Sequence, residues 1–209
     1  MITSLAREIS RDPAQRVRRC NAAALKDAMD FRNLFHQSCF LRWEFGGSVR
    51  RGKPLVGDVE HIVIPASGLQ EVKTGLFAEQ KQASLLWVRL EELVGGGAME
   101  KFVYRDGKFR WGEKYRGVLF RGFRHEIFVA DFDNWGSILA VRTGPDHFSR
   151  ALVTALNRRG YRHEEGRLWL GGKMIPTRDE QALFEAAGIN LLPPEKREDS
   201  GVFRKAVMA

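Results

Sequence analysis

The stretch Gly47-Ser48-Val49-Arg50-Arg51-Gly52-Lys53-Pro54-Leu55-Val56-Gly57-Asp58-Val59-Glu60 decides how the rest of the chain is read. Asp58 and Glu60 lead into the apolar run Ile62-Val63-Ile64, and the pattern predicts a strand over 58–65. Residues two apart on a strand share a face, so the two carboxylates stand together with Val59 turned away. Such a pair repels itself unless a cation lies between its members. Hard divalent ions with oxygen ligands, magnesium above all, suit it. Upstream, Gly46-Gly47-Ser48 forms a turn whose backbone N–H groups and hydroxyl can face an anion, because glycine lets the backbone approach closely. Arg50 and Arg51 follow directly. An anion-binding turn feeding two metal-binding carboxylates is what phosphoryl transfer requires: positioning, charge neutralisation and metal ions clamping the reacting oxygens. A lone Gly-Gly-Ser is usually only a turn, and a lone D-x-E is usually solvated surface; their combination at this short spacing is what carries the functional reading.

A second charged strand lies downstream in Phe123-Arg124-His125-Glu126-Ile127-Phe128-Val129. Glu126, Phe128 and Ala130 share one face, and His125, Ile127 and Val129 the other. A carboxylate in mid-strand is costly unless paired, so Glu126 invites a functional explanation. Asp131 and Asp133 compete with it, but they sit at the strand end among turn residues.

Around these two strands the chain reads as α+β. A helix is expected over 12–34, with Asp12 as N-cap and Pro13 at its first position. A strand follows over 41–45, and a helix over 80–94, ended by Gly95-Gly96-Gly97. Strands are expected over 101–105, 108–111, 117–120 and 123–130, with Asp106-Gly107 as a hairpin turn. Then come a helix over 146–159, a small hairpin over 161–175, a helix over 178–187, and a charged tail expected to be partly disordered. The five histidines show no ligand spacing and receive no chemistry. Trp111-Gly112-Glu113-Lys114-Tyr115-Arg116-Gly117 is dense in residues that stack on bases and bind phosphates, although strand packing explains aromatics equally well.

Gly47-Ser48 lies ten residues before Asp58 and twelve before Glu60, with Arg51-Gly52 and Gly57 between. This resembles the nucleotidyltransferase signature of X-family, polymerase-beta-like DNA polymerases. The resemblance implies that Gly47, Ser48 and Arg51 hold a nucleoside triphosphate and that Asp58 and Glu60 bind both of two Mg2+ or Mn2+ ions. It assigns Glu126 as the third metal ligand beside the primer hydroxyl, and Arg124 as a basic residue near the primer end. Glutamate stands at two positions where the family usually has aspartate. Val141-Arg142-Thr143-Gly144-Pro145 falls where the family has a Tyr-Phe-Thr-Gly-Ser turn, often with a cis peptide. Thr143 and Gly144 are thereby expected near the nucleotide, with sugar discrimination in doubt because Val141 and Arg142 replace the aromatic pair. Ile175-Pro176-Thr177, Glu180, Leu183-Phe184, Gly188-Ile189 and Leu192-Pro193-Pro194-Glu195 resemble the family's thumb ending.

The implied organisation is a basic helical lead-in over 1–40, a catalytic palm with a mixed sheet flanked by helices over 41–140, a small α+β thumb over 141–198, and a charged tail over 199–209. The implied function is DNA-directed DNA synthesis from a 3′-OH primer by two-metal catalysis, as in repair gap filling, without a lyase module. Primer-template or gapped DNA and dNTPs are the expected partners, with Arg50, Lys114 and Arg116 on the DNA. Two alternatives remain: a template-independent or RNA- or protein-modifying nucleotidyltransferase, and a nucleic-acid-binding protein whose site has decayed.

Length and charge fit this reading. The 209 residues suit a main domain with a small appendage, and 34 basic against 26 acidic side chains give +8, favouring a polyanionic partner. No apolar run approaches the roughly 18 residues of a membrane span, and no signal peptide is visible. Two cysteines, Cys20 and Cys39, are too few for a disulfide framework. The expectation is a cytoplasmic monomer.

Overall fold

The structure, a computed structural model, describes residues 17–74 and 77–205. In chain order it contains β1 (Arg19–Cys20), α1 (Asn21–Arg32), a 3-10 turn (Gln37–Cys39), β2 (Phe40–Phe45), α2 (Gly47–Arg50), β3 (Leu55–Val56), β4 (Val59–Pro65), β5 (Ser67–Thr74), β6 (Phe77–Ser84), α3 (Leu85–Gly95), β7 (Glu100–Lys101), β8 (Tyr115–Phe120) and β9 (Phe123–Val129). There follow α4 (Trp135–Thr143), α5 (Asp146–Arg158), β10 (Tyr161–Glu164), β11 (Arg167–Leu170), β12 (Lys173–Ile175), α6 (Glu180–Ala186) and α7 (Val202–Lys205). The fold is a mixed α+β arrangement.

Its main sheet runs β2-β4-β9-β8-β7, and the two charged strands, β4 and β9, are its central pair. They are parallel, with Glu60 opposite Glu126 and Ile62 opposite Phe128. Parallel pairing needs a long crossover, here everything between Pro65 and Phe123, and it brings the starts of both strands to the same sheet edge. Val59, His61, Val63 and Ile127 face a core built with α1 and α3, including Phe31, Leu86 and Leu90. On the opposite face, α4 lays Trp135 and Leu139 on Ile62, Ile64 and Ala130. Helices therefore flank both faces: α4 covers the C-terminal half of the second face, and the start of the short α2 lies against Glu60 in its N-terminal half. The three-stranded sheet β10-β11-β12 packs with α5 and α6 on a separate core that includes Phe148, Leu152, Leu168 and Phe184.

Several local expectations are corrected. The first helix begins at Asn21, because Arg19 and Cys20 pair with Val56 and Leu55 instead; Asp12 and Pro13 lie outside the described residues. The helix expected from 80 begins at Leu85, capped by Ser84. Residues 77–84 are a strand, paired with 67–74 in a ribbon that the helix-forming composition of Ala78–Ala83 concealed. α4 was unexpected: it is short, and Gly136 and the β-branched Ile138 and Val141 lower its helix propensity, while Trp135, Ile138 and Leu139 hold it on the sheet face. Gly136 within it is required by packing, since a Cβ there would lie 1.8 Å from the Asp179 carbonyl oxygen. Among the described residues there is no cis peptide; Gly144 and Pro145 connect α4 to α5, with Pro145 as the extended N-cap of α5. The described part of the tail includes α7, where Phe203 packs edge-on against Phe148; residues 206–209 lie outside the described residues.

Candidate active site

The two parallel strands place three carboxylates on one face. Glu60 and Glu126 are register partners, and Asp58 lies one step before β4 on the same alternation. Glu60 is crowded: burial and the Glu126 charge push its carboxyl up to about 8, although Arg142 and Arg51 pull the other way. Arg124 supplies the local counter-charge, bonded to Asp58 Oδ2 and standing 3.7 Å from Glu126 Oε1. Glu126 is buried, and its Oε1 accepts hydrogen bonds from the hydroxyls of Tyr115 at 2.7 Å and Tyr104 at 3.0 Å. Among the described residues no group of three or more His, Cys, Asp or Glu stands ready-made around a metal position, because Asp58 is drawn to Arg124. The donor set nevertheless fits a hard divalent ion. Three oxygen-bearing side chains share a face, and the Glu126 charge raises the cost of ionising Glu60, which a cation would relieve.

The glycine turn sits against this cluster. Gly46 N–H donates to the Glu60 carbonyl at 2.8 Å, and α2 starts at Gly47. Gly47 has φ +56°, and a Cβ there would stand 2.1 Å from Glu60 Oε2, so only glycine permits both the conformation and the contact. Ser48 is half-buried in α2, one residue further.

The arginines after the turn have partners that the sequence did not disclose. Arg50 does not point to an open surface: it makes a bidentate pair with Glu180 at 2.8 Å for each bond and donates to Thr143 Oγ1 at 2.7 Å. Glu180 also bonds the buried Arg197. Burial pushes the Glu180 carboxyl up, but the hydrogen bonds from Arg50 and Arg197 outweigh it and hold the group below its ordinary value. This Arg50–Glu180–Arg197 triad ties the turn to α6 and to the segment after it. Thr143 is fully buried and spends its hydroxyl on Arg50. A Cβ on Gly144 would strike Phe148 at 2.5 Å. Arg51 donates to the Thr143 carbonyl and, at 2.7 Å, to Glu198 Oε1, while Lys53 Nζ lies 3.3 Å from Glu198 Oε2. The Glu198 carboxylate thus bridges Arg51 and Lys53. Arg142 lies over the Phe128 ring, 3.9 Å from its centroid, on the Glu126 side of the sheet.

Of the residues expected on DNA, Arg116 is buried and Lys114 is exposed. Arg116 is buried between the rings of Trp87 and Trp111, at 4.4 and 4.8 Å, and bonds Glu91 at 2.7 Å. Its charge is consumed by packing. Lys114 is exposed and pairs with the equally exposed Glu165 at 2.6 Å.

The opposite face of the same strands carries a buried polar chain. Trp43 Nε1 can only donate, so His61 Nδ1 accepts its bond at 3.1 Å. His61 Nε2 then donates to His125 Nδ1 at 2.9 Å, and His125 Nε2 donates to Asp27 Oδ2 at 3.0 Å. Arg19 completes the chain at 3.0 Å from Asp27. Both rings lie against Phe31, His125 stacked and His61 tilted, and are neutral because burial pushes their pKa down. These histidines cross-brace β4 and β9 directly behind Glu60 and Glu126. Sequence spacing missed them because their partners, Trp43 and Asp27, come from other elements.

The arrangement is therefore a mixed-sheet α+β protein with three carboxylates at the edge of a parallel strand pair and a glycine turn beside them. Residues 138–198 match the family model of the DNA polymerase beta thumb. The match relates this chain to the X family, the polymerase-beta-like DNA polymerases. It covers α4 from Ile138 through the α6 region to Glu198, the segment that holds Arg50 and Arg51 from the far side. No curated protein matches the chain. No helix among the described residues is long and apolar enough to cross a membrane.

Proposed function

We propose that the protein is a DNA-directed nucleotidyltransferase that extends a 3′-OH primer with dNTPs. The observation that carries the reading is the pairing of Glu60 with Glu126 across the parallel strands, with Asp58 beside them and the Gly46–Arg51 turn packed against Glu60. Asp58, Glu60 and Glu126 would hold two Mg2+ or Mn2+ ions. When bound, such ions lower the pKa of the attacking hydroxyl and neutralise charge on the leaving pyrophosphate. The Gly47–Ser48 turn and Arg51 would take the triphosphate, using backbone N–H groups and a guanidinium fork. Arg124, paired with Asp58, would face the primer end. Arg50 contributes from behind, by anchoring the turn to Glu180 rather than by touching DNA. The net charge of +8 and the thumb-type segment support DNA as the polymer partner.

The test is extension of a primer on a template and across a single-nucleotide gap, with Mn2+ or Mg2+ and with dNTPs or rNTPs. The reading predicts templated addition that Asp58→Ala and Glu126→Ala abolish. No extension by the wild-type protein on any of these substrates would sink it.

A further inference from the structure

We infer that Tyr104 and Tyr115 are positioning residues for Glu126: they tie down one carboxylate oxygen so that the other is presented to a divalent cation. The inference rests on the metal-binding reading of Glu126 and extends it to residues outside the carboxylate cluster.

Both hydroxyls converge on Oε1, and the nearest atom of Arg124 approaches the same oxygen. The two hydroxyls also contact each other. A carboxylate engaged on one oxygen by fixed donors cannot rotate freely about its final bond and offers the second oxygen in a defined direction. Partners of this kind around a ligand commonly govern metal affinity by 10–100-fold.

The two rings are themselves held. Tyr115 stacks on Phe128 at 4.7 Å with an interplanar angle of 18°, and Phe128 lies beneath Arg142. Tyr104 packs edge-on against Phe102 at 4.7 Å and lies under Arg110 at 5.0 Å. The backbone makes room for the arrangement. Gly117 is the β8 residue opposite Glu126, and a Cβ there would stand 2.4 Å from the Tyr104 hydroxyl. Any other residue at 117 would push Tyr104 off the carboxylate. Gly117 lies in the middle of a strand, where glycine weakens the sheet and marks a close approach. Here the approaching group is the tyrosine. Burial and then the Glu126 charge push both phenols upward in pKa, so both keep the protons they donate.

The experiment titrates Mn2+ alone into the full-length chain and follows the free ion by electron paramagnetic resonance. The expected results are binding by the wild type, loss in Glu126→Gln, and about tenfold weaker binding in Tyr104→Phe and in Tyr115→Phe. Gly117→Ala, which keeps both hydroxyls but displaces one, should weaken binding similarly. In primer extension, the Mn2+ concentration for half-maximal rate should rise in the tyrosine variants while the KM for dNTP stays unchanged. A purely structural role would lower the melting temperature and leave Mn2+ affinity intact in the folded state. Wild-type affinity in both tyrosine variants and Gly117→Ala, with binding lost in Glu126→Gln, overturns the inference alone. Wild-type affinity in Glu126→Gln, or no binding by the wild type, overturns both it and the reading beneath it. If a tyrosine variant fails to fold, the other and Gly117→Ala decide the matter.

Discussion

Removing the Glu60 charge should stabilise the metal-free protein and abolish the metal binding proposed for Glu60. In the folded chain this carboxyl is pushed from 4.5 up to about 8 by burial and by Glu126. Between those values the folded state holds a proton that the unfolded state has released. Stability contributed by this group therefore falls as pH rises from about 4.5 and levels off above about 8. At pH 8 the penalty is on the order of 4 kcal/mol, and at pH 5 it is under about 1 kcal/mol. Glu60→Gln keeps the shape and cannot ionise, so it should gain about 2–4 kcal/mol at pH 8 after allowance for side-chain relaxation. For a chain of this size that is a rise in Tm of about 5–15 °C. The assay is urea and thermal unfolding of both proteins in chelator at pH 5, 6.5 and 8, read as the difference between them. Taking the difference cancels the pH dependence of the buried histidines. Added Mn2+ should narrow the gap by stabilising only the wild type. A difference under about 0.5 kcal/mol at pH 8, or one that does not grow between pH 5 and 8, would refute the account of Glu60 as a crowded carboxylate.

Three further outcomes are expected. Glu180→Ala leaves Arg50 and the buried Arg197 without their shared carboxylate and should cost about 3–5 kcal/mol in urea unfolding; a loss under 1 kcal/mol would show that water replaces the partner. Glu198→Gln removes the anion bridging Arg51 and Lys53, so inorganic tripolyphosphate should bind several-fold more tightly by calorimetry, whereas Arg51→Gln should weaken it; unchanged affinity in Glu198→Gln would mean that the carboxylate does not compete for that site. His61 and His125 are held neutral, so the unfolded chain takes up more protons below about pH 6.5 and wild-type stability should fall with acidification there; that loss should be smaller in a His61→Gln/His125→Gln variant, and an equal slope in both would remove the histidines as its cause.

The strands that carry the carboxylates were legible because their signal is local. Asp58-Val59-Glu60 and Arg124-His125-Glu126 each declare a face by alternation, and no distant residue is needed to read it. Gly47 was legible for the same reason, although its need for glycine comes from Glu60 thirteen residues away. Arg50, Thr143 and Arg116 were not. A cation beside a glycine turn, or among aromatics, looks available until the tertiary structure supplies Glu180, or the pair Trp87 and Trp111. The ribbon β5–β6 and helix α4 escaped for a related reason: local propensity is weak in both, and each is stabilised by what it pairs with or covers.

Sequence alone determined the α+β character and the carboxylate faces, because alternation and short spacings are properties of adjacent residues; the thumb-like ending was read from resemblance to the family. Tertiary structure decided that β4 and β9 run parallel, which puts Glu60 opposite Glu126. It also decided which charges are spent on packing and which surround the site. Those outcomes depend on contacts between residues such as Arg50 and Glu180, 130 positions apart, and no local pattern records them.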